Sequence, residues 1–208
     1  LDHQGATMLR VLGKLPRELV VAVSGGPDSM AILDFLNNNH KVTAFYFDHG
    51  TEFGEEAYNF VKQYCKEKEI PLAVGSLSQE RPNKTSIEEH WRNERYKEFH
   101  SFKSPVVTGH NLDDVIEWFL FSSIHGRASI IPYKNKNVIR PFLSTPKENL
   151  VQWCENKNVP FLTDPGNRDR KYMRSIVRHD ILPNAKEVNP GIHKTFRKLV
   201  EQRHAELY

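Results

Sequence analysis

Val20-Val21-Ala22-Val23-Ser24-Gly25-Gly26-Pro27-Asp28-Ser29 is the stretch on which the reading of the whole chain turns. Small and β-branched apolar residues run into a Ser-Gly-Gly turn, and an amphipathic stretch follows to about Leu36. That order predicts a buried strand, a tight loop and a helix. Glycines in such a loop admit unusual φ and let a ligand approach the backbone. The unpaired amides at the helix start are satisfied by a phosphate. The stretch therefore predicts a phosphate-binding loop. It lacks the Lys-Ser or Lys-Thr of a Walker loop and the third spaced glycine of a dinucleotide fingerprint.

Outward from this loop, residues 7–15 are predicted to form a short helix closed by Gly13 or Pro16, followed by a strand at 19–23 and a helix from Asp28 to Phe35. Further strands are predicted at 41–47, 70–74, 105–108 and 138–139. Helices are predicted at 53–68, from Thr85 or Ser86 to His100, from the Asp113-Asp114 region to Ile124, at 146–157, and after Asn189-Pro190. Ser86 and Glu89 have capping-box spacing; Thr145-Pro146 reads as a threonine cap with proline at the first helical position. Residues 126–137 read as basic and irregular. Strands alternating with helices imply an α/β fold: an open parallel sheet of about five strands with helices on both faces. A small helical carboxyl-terminal segment completes it. The expected division places the sheet domain at residues 1–143 and a basic helical segment at 144–208.

The 208 residues suit one domain with an appendage. Hydrophobic residues at 38% and aromatics at 11% exclude a disordered composition. A net charge of +3 mildly favours an anionic partner. Cys65 and Cys154 form no Cys-x-x-Cys pair, which argues against a disulfide scaffold and a zinc ribbon. Neither a signal peptide nor a membrane-length apolar run is visible, so a cytoplasmic protein without a membrane partner is expected.

In an open α/β sheet, ligands sit at the carboxyl ends of the strands. Three polar clusters are expected there: Ser24 to Ser29, Asp48-His49-Gly50, and His110 to Asp114. Asp28 either binds magnesium or caps its helix. Asp113 and Asp114 are adjacent at a helix start and point in different directions. One is expected to help hold magnesium and phosphate and the other to cap amides, and both favour the helix dipole. His49 and His110 are either donors to phosphate or base, or hydrogen-bonded surface groups. Zinc is disfavoured because no cysteine or spaced histidine pair completes a tetrahedral set; magnesium held through carboxylates and waters is more natural. Arg92, Arg95 and Tyr96 share a helical sector, either a salt-bridged solvated face or an arginine pair facing nucleotide phosphates or RNA. Arg170, Arg174 and Arg178 repeat at four-residue spacing beside Arg168, Lys171, Tyr172 and His179. That is a cationic stripe suited to a phosphate backbone, or a solvated basic face.

The loop resembles the Ser-Gly-Gly-x-Asp-Ser pyrophosphate-binding loop of enzymes that split ATP between its α and β phosphates. Over residues 20–190 the chain resembles the tRNA(Ile)-lysidine synthetases, N-type ATP pyrophosphatases of the PP-loop class that act on RNA. The resemblance is carried by Ser24 to Ser29, Asp48-His49-Gly50, and Arg92 with Arg95-Tyr96. It continues through Gly109-His110-Asn111-Leu112-Asp113-Asp114 with Glu117, and Arg140-Pro141-Phe142-Leu143. It ends in Asp164-Pro165-Gly166-Asn167-Arg168-Asp169, Tyr172, Arg174, Arg178 and Ile181-Leu182-Pro183. Departures stand at Val115 (Gln or Glu in the family), at Trp118 (Thr), and at Arg174-Ser175 (Arg-Asn). His125-Gly126-Arg127-Ala128 replaces Arg-Gly-Ser-Gly, with Arg127 a late substitute for the missing arginine.

The resemblance implies an adenine-nucleotide-hydrolase-like fold, ATP and Mg2+, free lysine, and tRNA(Ile) with a CAU anticodon. It implies ligation of lysine to C2 of the wobble cytidine through an adenylated intermediate. It assigns Ser24, Gly25, Gly26 and Ser29 to pyrophosphate, Asp28 and Asp114 to magnesium, and Asp113 or Glu117 to the lysine amine. His49 and His110 fall to the ATP site, and Arg92, Arg95 and Arg140 to nucleotide phosphate or the reacting ribonucleotide. Arg127, Arg170, Lys171, Arg174 and Arg178 fall to tRNA, and oligomerisation is left open. Two other classes remain: an ATP-dependent thiolase or amidotransferase, and a non-catalytic RNA-binding relative.

Overall fold

A computed structural model describes residues 9–77, 80–163 and 173–208. The predicted strand–loop–helix is β1 (Glu18–Val23) and α1 (Pro27–Asn37). There follow β2 (Lys41–Asp48), α2 (Glu52–Glu67), β3 (Leu72–Ser76), α3 (Ile87–Ser101), β4 (Val106–Val107) and α4 (Leu112–Ile124). The chain continues through β5 (Lys134–Asn135), β6 (Val138–Ile139), α5 (Lys147–Lys157) and α6 (Met173–Ile176). A π-helical turn (Val177–Ile181) leads into α7 (Leu182–Val188), and α8 (Ile192–Leu207) closes the chain. The sheet order is β3-β2-β1-β4-β6-β5, parallel throughout except for the antiparallel β5–β6 pair. The expected parallel sheet thus gains one short antiparallel edge strand, within the stretch predicted to be irregular.

Period-two alternation divides the core. On one face Val21, Val23, Ala44, Tyr46 and Val107 pack with α1, α2 and α5, the last contributing Leu150 and Cys154. On the other, Val20, Phe45, Phe47, Val106 and Val138 meet Tyr96 and Phe99 of α3. A third cluster joins α4 to α7 and α8 through Leu112, Val115, Ile116, Leu182, Ile192 and Phe196. Both cysteines are buried and free, and burial pushes their thiols up, Cys65 to about 11 and Cys154 to about 12.

Two local expectations change. Residues 9–15 are not helical. The Leu12 amide donates to the Pro141 carbonyl (2.8 Å), and Thr145 Oγ1 both accepts from the Arg10 amide (2.9 Å) and donates to its carbonyl (2.7 Å). These long-range bonds take the backbone groups that a helical turn would use. Thr145 is consequently not a cap; Pro146 is the N-cap of α5, with no side-chain cap bond. Ser86 does cap α3, accepting from the Glu89 amide at 3.1 Å. Among the described residues no helix is long and apolar enough to cross a membrane.

Candidate active site

The strand order reverses between β1 and β4, since β2 and β3 lie on one side of β1 and β4 and β6 on the other. The crevice at such a switch point is where α/β sheets bind ligands. Here it opens into a cavity of about 550 Å³ whose wall includes Ser24, Gly26, Asp28 and Ser29 after β1, and His49 after β2. Thr108, Gly109, His110 and Asp114 after β4 line it too, with Arg95 of α3. The three polar clusters are therefore one site.

The loop is braced from within. Ser29 Oγ accepts from the Ser24 amide (3.1 Å) and donates to the Gly26 carbonyl (3.0 Å). Gly25 sits at φ +81°, a conformation that only glycine adopts without cost. Its carbonyl accepts from the Leu162 amide (2.9 Å), tying the loop to the segment after α5. Gly26 is the N-cap of α1, and no side chain caps that helix. An anion at this end would meet both the amides and the positive end of the dipole.

Asp28 and Asp114 are the carboxylates of the cavity. Burial raises the Asp28 carboxyl, and Oδ1 is buried without a partner, while Oδ2 lies 3.5 Å from Lys147 Nζ. Asp114 Oδ2 accepts from the Asn111 amide (2.9 Å), closing a capping box on α4. Burial, together with the charges of Asp28 and Glu117, pushes its carboxyl up to about 7, against the pull of the Asn111 amide and Arg178. Arg178 Nε donates to Glu117 Oε2 at 2.8 Å, and its other end approaches Asp114 Oδ1 at 3.8 Å. Arg178 thus leaves the expected outward stripe and faces the cavity.

Asp113 turns the other way. Its Oδ2 accepts from the Lys147 amide (2.9 Å), and its Oδ1 is 3.0 Å from both Lys186 Nζ and His193 Nε2. Burial alone would raise this carboxyl; the bonds from His193, the Lys147 amide and Lys186 outweigh it and hold it below the usual range. Asp113 therefore joins the starts of α4, α5 and α8 and is absent from the cavity wall.

His49 and His110 are both pushed towards the neutral form. Burial, with the nearby Arg95 charge, lowers His49 to about 4. Burial, with Arg140, Arg95, Arg92 and Arg174, lowers His110 to about 3. His110 Nδ1 is 2.9 Å from Thr108 Oγ1, and the His49 ring lies 5.1 Å from that of Trp91. Arg95 approaches His49 Nε2 at 3.5 Å.

Other expected site residues are dispersed. Arg92 is exposed and lies over the Tyr96 ring at 4.6 Å. Arg140 is 2% exposed and donates to the Pro132 carbonyl (2.7 Å) and the Tyr96 hydroxyl (2.8 Å), outside the cavity wall. Arg127 is exposed beyond α4. Arg174 lies over the Trp118 ring at 4.9 Å, so its guanidinium faces α4. Arg170 and Lys171, with Arg168 and Tyr172, lie outside the described residues. Lys147, which is not among the residues expected from the sequence, also lines the cavity. Its signal was a cation in the first turn of a helix, where the dipole disfavours positive charge.

A PP-loop domain family matches residues 4–185 of the chain. The chain is 34% identical over 207 residues to the tRNA(Ile)-lysidine synthase of Thermosipho africanus, covering 88% of this chain and 47% of that protein. It is 30% identical over 206 residues to the tRNA(Ile)-lysidine synthase of Bacillus subtilis, covering 88% and 43%. The chain thus spans under half the length of these curated relatives. Among solved structures, NH3-dependent NAD synthetase from Campylobacter jejuni superposes with a TM-score of 0.51 at 12% identity, covering 94% of this chain and 86% of that one. That likeness shows the fold alone. With residues 4–185 matched and the loop, switch point and cavity in place, the chain belongs to the PP-loop domain family, among relatives that are tRNA(Ile)-lysidine synthases.

Proposed function

We propose that the chain is a cytoplasmic, ATP-dependent tRNA-modifying enzyme that joins free lysine to C2 of the wobble cytidine of tRNA(Ile) with a CAU anticodon. The observation that supports this most is the convergence of an uncapped glycine loop, two carboxylates and three cations, Arg95, Lys147 and Arg178, on one cavity. In the adenylation step the cytidine O2 bonds to the α-phosphorus and the bond to pyrophosphate breaks. Ser24, Gly25, Gly26 and Ser29 receive the leaving pyrophosphate, and Lys147 offsets its charge. In the second step the lysine Nε attacks C2, and the C2–O2 bond breaks with AMP departing.

The amine must lose a proton before it attacks, since an ammonium has no lone pair. Neither Asp113 nor Glu117 lines the cavity; Asp113 is engaged by α5, α7 and α8, whereas Glu117 is joined to the cavity wall through Arg178, so Glu117 is the carboxylate we assign to the amine. Arg178 holds Glu117 in place. Neutral His110 and His49 present uncharged ring nitrogens to the nucleotide, and Arg95 adds a cation beside them. Residues 144–208 are read as the helical segment that carries tRNA contacts against the nucleotide domain.

Asp28 and Asp114 fit magnesium. Both offer hard carboxylate oxygens, and Asp28 Oδ1 is buried without a partner. Among the described residues no group of three or more His, Cys, Asp or Glu could hold a metal ion. Magnesium suits such a site because it takes one or two carboxylates and completes its shell with water and phosphate oxygens. When bound, it would neutralise phosphate charge.

The test is pyrophosphate release from ATP with unmodified CAU-anticodon tRNA(Ile), with and without lysine, followed by nucleoside mass analysis. A lysine adduct on the wobble cytidine that is lost in Asp28→Asn is expected. Pyrophosphate release without the adduct would point to another nucleophile or RNA. No turnover with any tRNA would favour a binding protein.

A further inference from the structure

Two departures from the family pattern, the half-buried Trp118 on α4 and the exposed His125 at its C-cap, line up on one side of the helix, with half-buried Phe121 between them. The Trp118 and Phe121 rings lie 5.9 Å apart at 30°, and Phe121 and His125 lie 4.4 Å apart at 34°. Arg174, from α6, places its guanidinium 4.9 Å from the Trp118 ring and 5.7 Å from that of Phe121. The ladder is pinned at both ends. The Trp118 indole N–H donates to Ser129 Oγ (3.1 Å), and His125 Nδ1 meets the Phe121 carbonyl (2.8 Å). Trp118, Phe121 and His125 belong to none of the apolar core clusters. His125 and Arg174 are exposed, and neighbouring Ile124 and Met173 are 64% and 67% exposed. One helical turn from Arg174, Arg178 meets Glu117 and lines the cavity, so the ladder adjoins the proposed reaction site.

We propose that Arg174, Trp118, Phe121 and His125 form a stacking platform for an unpaired nucleotide of the RNA, next to the one that enters the cavity. The inference rests on the proposed function only for its choice of RNA as partner. A partner here must offer a flat π-face and negative charge together. Arg planes and aromatic rings stack unpaired bases, and the cation meets the adjoining phosphate. Exposed Arg127, on the loop after α4, adds a second cation to this end. An apolar peptide laid over the same face would bury the Arg174 charge without a counter-ion. Paired RNA keeps its base faces inside the helix and has nothing to stack here.

The test is fluorescence anisotropy with three labelled probes: a stem-loop carrying CAU in its loop, an oligouridylate, and a fully paired RNA duplex. Arg174→Lys keeps the charge and removes the plane; Trp118→Ala removes the ring. Each is expected to weaken binding of the two unpaired probes by about five- to 150-fold. Duplex binding stays as in wild type, and the salt dependence of Trp118→Ala is unaltered because no phosphate contact is removed. Wild-type affinity of both variants for unpaired RNA, or equal losses on all three probes, overturns the platform. If Trp118→Ala does not fold, Arg174→Lys alone decides. A wild-type protein that binds ATP but none of the RNAs ends this inference and leaves the nucleotide site standing. Ladder-dependent RNA binding without ATP binding ends the proposed function and leaves the platform.

Discussion

Asp113→Asn separates a structural carboxylate from a catalytic one. The Asp113 side chain is 16% exposed and accepts from the Lys147 amide, Lys186 and His193 at 2.9, 3.0 and 3.0 Å. Asparagine keeps the size but removes the charge, and its NH2 opposes at least one of these donors. Hydrogen bonds to charged groups contribute about 1.5–3 kcal/mol each. Lys186 is partly solvated and counts for less, so a net loss of about 2–4 kcal/mol is expected. For a chain of this size that lowers the Tm by about 4–16 °C. The pH dependence has a definite sign. The folded carboxyl is held below its usual range, so its contribution is complete above the unfolded value of about 3.9 and is lost as pH falls through the folded value. Urea melts of wild type and Asp113→Asn should therefore separate at neutral pH and converge on acidification. A difference under about 0.5 kcal/mol at pH 7, or melting curves that stay equally separated in acid, would refute the clamp.

Asp114→Asn has the opposite sign. Burial pushes this carboxyl up to about 7, so the ionised form opposes folding and wild-type stability falls as pH rises towards that value. With 27% of the side chain exposed the effect is discounted, and the unliganded variant should gain about 1–2 kcal/mol at pH 8 while losing product formation; an unchanged or lower melting temperature at pH 8 counts against it. Lys147→Ala should weaken ATP binding by about tenfold or more in calorimetric titration, and Lys147→Arg should recover part of it; unaltered affinity would remove Lys147 from the phosphate site. At Gly25 a Cβ has room, its nearest neighbour being Phe60 Cδ1 at 3.5 Å, so Gly25→Ala pays mainly for φ +81°, about 1–2 kcal/mol, read as lower stability together with weaker ATP binding. His49 and His110, lowered to about 4 and about 3, should show no imidazole titration by NMR between about pH 5 and 8, and a midpoint near 6.5 would contradict their burial.

Much of the fold was legible in the chain. Continuous apolar runs at 19–23 and 44–47 announce strands buried on both faces, and the observed cores divide between the two sides of each strand. The Ser24–Ser29 turn, the Ser86 cap and the α/β rhythm are local matters of φ, hydrogen-bond reach and period, which neighbouring residues decide. That three turns share one sheet edge also followed from the rhythm, because parallel strands place their carboxyl ends together. The short β5–β6 pair was not legible, since two-residue strands carry no period.

Chain order alone is enough to bring Ser24, Asp28, His49, His110 and Asp114 to the cavity edge, because each follows or opens an element at the carboxyl ends of the strands. The tertiary structure alone decided where each long side chain points. Asp113 and Asp114 are chemically identical neighbours, yet the helix turn sends one to Lys186 and His193 and the other to the cavity. Arg140 is drawn to the Pro132 carbonyl and the Tyr96 hydroxyl, and Arg178 turns to Glu117 of α4. Lys147 reaches Asp28 only because α5 packs on α1. Apart from Pro132, which lies near Arg140 in the chain, these partners are far away in sequence. A buried or half-buried charge settles where a counter-charge or carbonyl repays its desolvation, and that location exists only once the helices have packed.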